Sequence, residues 1–316
     1  MENNMVFGFE KKSRKQPRHR RIIDPFSYRQ TIFLAGTGRS GTTWLEEMLT
    51  QSYKLRVMFE PFHSKKIERL KGWNYRQYLR IDNRDETFFK PAQAILSGNI
   101  RHEWIDKYNQ RLISRKRLIK DIRASLFLKW IQHNFPEIPL ILLLRHPCAV
   151  ANSKLKCGWD THLGDFLEQN ELMSDFLNPF RNEIQNARDT FDKHIFMWCI
   201  ENYIPLRQFN CSEICVVYYE NLCVDPHLEM KRISKFIGGK FSSKNLSSSV
   251  TPSAMRREES AIVTGSDLLN TWRKDISANQ IKRTLEICSI FGLQKLYNES
   301  SMPLLSEQKA LNLFSN

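Results

Sequence analysis

Residues 31–43 read Thr31-Ile32-Phe33-Leu34-Ala35-Gly36-Thr37-Gly38-Arg39-Ser40-Gly41-Thr42-Thr43. Thr31 to Ala35 is a short apolar run that ends in a glycine turn, which predicts a buried strand. Helix-forming sequence follows from Thr42 to Gln51. A glycine-rich turn between a buried strand and a helix directs backbone N–H groups and a helix N-terminus at one point, where an anion is favoured. The glycines allow the tight turn and the close approach of a ligand. Thr42 and Thr43 add hydroxyl donors.

The spacing is close to the nucleoside-triphosphatase loop G-x-x-x-x-G-K-[ST]. Gly36, Gly41 and Thr43 fit it, but Thr42 stands where that loop carries its lysine. Without the lysine the bridge to the β- and γ-phosphates is missing, and the positive charge sits earlier, on Arg39. Such a loop binds a 5′ anion but is poorly equipped for a magnesium-bound triphosphate. A P-loop nucleotide-dependent kinase is therefore the weaker alternative.

Outward from this unit, Leu55–Phe59 is a second strand candidate and residues 74–103 show no regular pattern. Leu118–Asp121 reads as a short strand leading into a helix over 125–134, with Leu126, Phe127, Trp130 and Ile131 on one face. Ile138–Leu144 is a continuous aliphatic run, as in a parallel strand buried on both faces. Pro147 suits the first turn of a following helix. Residues 157–184 read as an insertion of short helices. A long helix over 191–209, a strand over 214–218, a helix over 226–237 stopped by Gly238 and Gly239, and a last helix over 278–291 complete the reading. Strand and helix alternate, which predicts an α/β fold with a central parallel sheet flanked by helices.

A second motif follows the aliphatic run: Arg145-His146-Pro147-Cys148-Ala149-Val150-Ala151-Asn152-Ser153. An arginine at a strand end and a serine two helical turns on can pinch a phosphate, since arginine offers a planar fork of donors and a fixed charge. Anion sites on neighbouring strand ends imply a nucleotide with phosphates at both its 5′ and 3′ positions, bound where open parallel sheets bind ligands.

Here the sequence resembles the sulfotransferases. Arg39-Ser40-Gly41-Thr42-Thr43-Trp44 is similar to their 5′-phosphosulfate loop, and Arg145 through Ser153 to their 3′-phosphate motif. Tyr219-Glu220-Asn221-Leu222, Asp225-Pro226 and Trp272-Arg273 extend the resemblance to roughly residues 30–295. It implies a P-loop-like fold with helical insertions. It also implies transfer of a sulfuryl group from 3′-phosphoadenosine 5′-phosphosulfate, with 3′-phosphoadenosine 5′-phosphate as product and no metal. It assigns Arg39, Ser40, Gly41, Thr42 and Thr43 to the 5′ phosphosulfate, Trp44 and Tyr219 to the adenine, and Arg145 and Ser153 to the 3′ phosphate. Arg256 and Arg257 are candidates for a further 3′-phosphate contact, although the family's Arg-Lys-Gly signature is absent.

Attack by a hydroxyl needs a base within hydrogen-bond reach. Glu60 ends the second strand, and its spacing from Arg39 resembles that of the catalytic glutamate in tyrosylprotein and carbohydrate sulfotransferases. His102 and the nearby His63 are the alternatives. Lys120 matches a family lysine beside the leaving group, where it would stabilise charge on the bridging oxygen. Trp159 and His162, in the insertion, are candidates for acceptor contact. A glutamate base points to a hydroxyl-bearing acceptor on a carbohydrate or glycolipid, by analogy alone.

Composition bounds the rest. Of 316 residues 41% are hydrophobic, enough for a packed core, and no apolar run is long enough to span a bilayer. The N-terminus has no apolar run before a small-residue cleavage site, so the expectation is a soluble, cytoplasmic protein without signal peptide. Seven cysteines without C-x-x-C spacing fit reduced thiols better than zinc. Much of the net charge of +14 lies in Lys11, Lys12, Arg14, Lys15, Arg18, Arg20 and Arg21. Residues 1–29 therefore read as a basic, flexible tail ahead of a single domain at 30–316. A solvated leader or a contact with an anionic membrane surface both fit such a tail. A basic nucleic-acid-binding protein is the remaining alternative, but no nucleic-acid motif accompanies the charge.

Overall fold

A computed structural model of the protein describes residues 22–240 and 267–315. The strands are β1 (Thr31–Gly36), β2 (Arg56–Phe59), β3 (Arg117–Asp121), β4 (Leu140–Leu144) and β5 (Cys215–Tyr218). They form one sheet in the order β2-β3-β1-β4-β5, every neighbouring pair parallel. From β1 the chain first builds β2 and β3 on one side, then β4 and β5 on the other. The loop after β1 therefore opens at the point where the winding reverses, the usual place for a ligand in such sheets.

Alternation along the strands assigns two cores. Ile32 and Leu34 of β1, with Leu118, Ile141, Leu143 and Val217, face helices α1 (Thr42–Tyr53) and, further along the chain, the helix Pro226–Phe236. Phe33 and Ala35, with Ile119, Leu142, Leu144 and Val216, face the larger core that contains Trp130, Phe196 and Trp198. Both faces are covered, so the aliphatic run of β4 has no polar side to show.

Four expectations change. Residues 74–103 are not irregular throughout, because α2 spans Glu86–Leu96. Asp85 caps it by accepting from the Thr87 N–H, and Ala92, Ile95 and Leu96 are buried along one stripe. Pro91 inside the helix breaks the pattern by which it would be read. The helix expected over 125–134 begins as a 3₁₀ turn, Ser125–Phe127, before α3 (Leu128–Asn134). Ala278–Ile290 is not the last helix, since Glu307–Phe314 follows it. Residues 22–29 are not tail: Asp24 is buried between Arg56 and Arg117, and Ile23 bridges to Ile113. The basic run up to Arg21 lies outside the described residues.

The insertion is a chain of short helical turns: Gly164–Leu167, Asn170–Leu172, the π turn Met173–Leu177, Asn178–Phe180 and Arg181–Gln185. Phe166, Leu172 and Leu177 anchor it in the larger core. It connects α4 (Pro147–Lys156) to the long helix α5 (Thr190–Gln208).

Candidate active site

At the C-terminal ends of the strands lies a cleft bordered by Arg39, Gly41, Thr42, Thr43 and Arg145. Gly41 is the N-cap of α1 with φ +100°, and no side chain caps that helix. Its first N–H groups are left for an anion. A Cβ on Gly41 would lie 2.4 Å from Tyr219 Cδ2, so the loop requires glycine there twice over, for conformation and for space. Ser40 Oγ is buried without a hydrogen-bond partner. Arg39 holds φ +75°, a conformation that costs a non-glycine residue energy and clusters at ligand sites.

The two anion motifs meet. Arg39 Nε donates to Ser153 Oγ at 2.9 Å, and Arg145 Nη1 donates to the Arg39 carbonyl at 3.2 Å. The Arg145 guanidinium lies 4.1 Å from the centroid of the Tyr219 ring, and Trp44 meets that ring edge-on at 5.7 Å. Trp44 and Tyr219 also border the cleft. The later motifs hold this arrangement from behind. Glu220 accepts from the His146 N–H at 2.9 Å and from the Tyr297 hydroxyl at 2.8 Å. The His146 ring stacks on Trp272 at 4.6 Å. Arg256 and Arg257 lie outside the described residues.

Glu60 and Lys120 enter the same cleft from neighbouring strand ends. The parallel register pairs Phe59 with Lys120, which brings the residue after β2 to the Lys120 side chain. Lys120 Nζ donates to Glu60 Oε1 at 3.0 Å, and Arg123 Nη1 donates to Glu60 Oε2 at 2.6 Å. Burial pushes the Glu60 carboxyl up, but Lys120 and Arg123 outweigh it and hold the group below the ordinary carboxylate range. Glu60 is thus an ionised carboxylate at neutral pH. Its φ of +44° is the second strained non-glycine conformation in the cleft.

The alternative bases sit elsewhere. His102 is not among the residues bordering the cleft, and its Nδ1 accepts from the Trp104 N–H at 3.1 Å. His63 is buried against Tyr75 and Trp104, and burial together with Arg123 pushes its pKa down to about 4. Trp159 borders the cleft and packs on Gly38, where a Cβ would lie 2.6 Å from Trp159 Cζ3. His162 stands one layer back. Its ring lies 4.8 Å from Tyr75, whose hydroxyl accepts from Arg123 at 2.6 Å.

Sequence reasoning missed several groups. Arg123 stands two residues beyond β3 and carries no local signal that marks it as a partner of Glu60. Glu46, one turn into α1, is buried, and burial pushes its pKa up to about 7 near Lys120 and Glu60. Behind the phosphate loop, Asn202 donates to Thr37 Oγ1 at 3.2 Å, and Glu201 pairs with Arg76. Lys154, fully buried beside that pair, is pushed down to about 8 by burial. No periodicity marks such a cluster, because its members come from different elements.

A larger hollow beside Arg188, Phe196 and Arg283 contains none of these groups. Convergent charge and helix-end donors, not size, single out the cleft.

The sequence pattern of the Sulfotransferase family matches residues 31–243. Among solved structures, the chain is similar to the sulfotransferase domain from the curacin biosynthetic pathway, with 16% identity, 82% of this chain and 95% of that chain covered, and a TM-score of 0.44. It is similar to a sulfotransferase from Mycobacterium avium, with 13% identity, 86% and 78% covered, and a TM-score of 0.48. A mouse sulfotransferase complexed with PAP gives 13%, 93%, 90% and 0.42 in the same measures. No curated protein matches the chain. The match over residues 31–243 takes in both anion motifs and every residue found in the cleft, and the chain belongs to the sulfotransferase family.

Proposed function

We propose that the protein transfers a sulfuryl group from 3′-phosphoadenosine 5′-phosphosulfate to a hydroxyl of a carbohydrate or glycolipid acceptor. The observation that carries the donor and the transfer is the convergence of Arg39, Ser153 and Arg145 beside the uncapped start of α1, with the Glu60–Lys120 pair in the same cleft; the acceptor class rests on the analogy of a glutamate base. Arg39, the orphaned Ser40 Oγ and the free N–H groups of α1 suit the 5′ end of such a nucleotide, and Arg145 with Ser153 suits its 3′ phosphate. Trp44 and Tyr219 offer aromatic surface for the base.

When bound, the donor supplies an activated sulfuryl group with a good leaving oxygen. Glu60 takes the proton of the acceptor hydroxyl as its oxygen bonds to sulfur. Lys120 stabilises the charge left on the bridging oxygen as the sulfur–oxygen bond breaks. An anion near Lys120 draws that ammonium away from Glu60 and raises the basicity of the carboxylate at the moment it is needed. The test compares thermal stabilisation by 3′-phosphoadenosine 5′-phosphate with that by ATP, then offers labelled donor to a panel of acceptors. Equal stabilisation by the two nucleotides would count against the reading. Seven free cysteines support a cytoplasmic setting. The basic tail supports contact with an anionic membrane surface.

Arg145→Ala should weaken nucleotide binding by about 10- to 100-fold, the range for a charge-assisted contact, with a smaller change in turnover at saturating donor. The 3′ phosphate does not react, so its contact adds binding without selecting the transition state. Calorimetry showing parental affinity would remove Arg145 from the site.

His162→Ala should raise the acceptor KM by roughly 3- to 10-fold and leave nucleotide affinity unchanged, since its ring steadies Tyr75 rather than the phosphate loop. Trp159 touches that loop through Gly38, so Trp159→Ala should disturb both substrates. Steady-state kinetics on folded variants, once an acceptor is found, decide this. Loss of nucleotide affinity in His162→Ala would contradict it.

A further inference from the structure

Ile23, Phe26, Leu112 and Ile113 are 59%, 54%, 46% and 70% exposed. They are not scattered. Ile23 and Ile113 form a parallel bridge, the Ile23 N–H donates to the Leu112 carbonyl at 2.7 Å, and the Ser114 N–H donates to the Ile23 carbonyl at 3.1 Å. Arg101 joins them, donating to the Ile22 carbonyl at 2.8 Å and lying 5.6 Å from the Phe26 ring. Four large apolar side chains in one place are unusual on a protein surface unless something covers them.

The surroundings say what. Residues 107–116 contain no acid and carry Lys107, Arg111, Arg115 and Lys116, the last two exposed. Asp24 and Asp106 are both bound to the buried Arg56, and Glu103 is an exposed acid nearby in the chain. From this juxtaposition we infer that the Ile23–Phe26 and Leu112–Ile113 tips form a docking surface for an anionic lipid bilayer, the apolar tips entering the headgroup layer and the surrounding cations meeting anionic headgroups.

Apolar tips beside exposed cations, here Arg101, Arg115 and Lys116, are the arrangement that the interface between headgroups and acyl chains selects. A second copy of the chain would set cations against cations. A nucleic acid would satisfy the cations but leave aliphatic tips against phosphate. The position also fits. The patch precedes β1 and β3, whereas the cleft follows them, about 17–20 Å away across strands of this length. Docking there leaves nucleotide entry unobstructed. This surface is independent of the transfer reaction and distinct from a contact made by the tail's charge alone.

The test is co-sedimentation of the full chain with vesicles of phosphatidylcholine alone, or of phosphatidylcholine and phosphatidylglycerol in equal parts. The expected result is binding to the anionic vesicles alone, weakened by salt. Arg115→Gln with Lys116→Gln should lower it by roughly fivefold per charge. Leu112→Ser with Ile113→Ser should lower it about tenfold or more, with nucleotide-induced thermal stabilisation retained as the check on folding. Phe26→Trp should be quenched by vesicles with brominated acyl chains, a readout that does not depend on the serine variant folding. Undiminished binding by the serine variant, with no quenching of Phe26→Trp, would assign binding to the tail's charge and overturn the surface. Equal binding to neutral vesicles, or a dimer in sedimentation that the serine pair dissociates, would overturn it as well.

Discussion

Glu60→Gln is expected to lower turnover by about 10²–10⁴ while nucleotide binding is retained or tightened. Glutamine keeps the shape of the side chain but cannot take the acceptor's proton. It also removes the negative charge between Lys120 and Arg123, which lie 3.0 Å and 2.6 Å from the two carboxylate oxygens. With that charge gone, an anionic nucleotide no longer competes with Glu60 for Lys120 in the cleft. Turnover at saturating donor should therefore fall by orders of magnitude while calorimetric affinity holds or rises, which a merely damaged site would not do. The pH profile adds a second check. Lys120 and Arg123 hold the free carboxyl below its ordinary 4.5, so it stays ionised on descending through that value. The acid limb of kcat/KM, which reports the free enzyme, should lie below 4.5. Parental turnover in Glu60→Gln together with loss in His102→Ala would give the base to His102.

The phosphate loop, the second motif and all five strands were legible in the sequence because each is a local pattern: an apolar run, a glycine turn, an arginine at a strand end. The apposition of Glu60 and Lys120 was not legible. It follows from the register that pairs Phe59 with Lys120, and register is a property of the folded sheet. Arg123 stood three residues beyond Lys120 and was passed over because nothing local distinguishes a cation that binds Glu60 from one that faces water. Lys154, Glu201 and Arg76 escaped for a stronger reason. Buried charges violate the binary pattern, so they look like surface positions until the fold brings their partners to them. The helix with Pro91 and the packed segment at Asp24 were hidden by their neighbours, a helix breaker in one case and a run of cations in the other.

Asp24 provides the second large effect. Asp24→Ala should destabilise the protein by about 3–5 kcal/mol, the range for removing one partner of a buried ionic cluster. The reason lies in the sheet. Arg56 and Arg117 are register partners on β2 and β3, both fully buried, so two guanidinium groups face each other away from water. Like charges directly opposite destabilise a strand pair unless an anion stands between them. Asp24 is that anion. Its Oδ2 accepts from Arg56 Nη1 and from Arg117 Nε, each at 2.9 Å, and its Oδ1 pairs with Arg117 Nη2. Arg56 retains Asp106 at 2.8 Å in the variant, but Arg117 retains only neutral partners, the Ser27 carbonyl, Thr31 Oγ1 and the Leu96 carbonyl. The expected drop in melting temperature is roughly 10 °C for a chain of this size. Asp24→Asn, which keeps the shape without the charge, should fall between the two. Burial pushes the Asp24 carboxyl up, but Arg117 and Arg56 together hold it below its ordinary 3.8. A depressed folded-state pKa stabilises fully above the unfolded value and loses that contribution as pH falls through the folded one. The gap between parent and Asp24→Ala should therefore be constant at neutral pH and begin to close only below about 4. Nucleotide affinity of the folded variant should be unchanged, because the cluster lies where the strands begin and the cleft where they end. A melting temperature within about 2 °C of the parent would mean that solvent or backbone carbonyls satisfy the two arginines unaided, and that segment 22–29 is not what closes this end of the sheet.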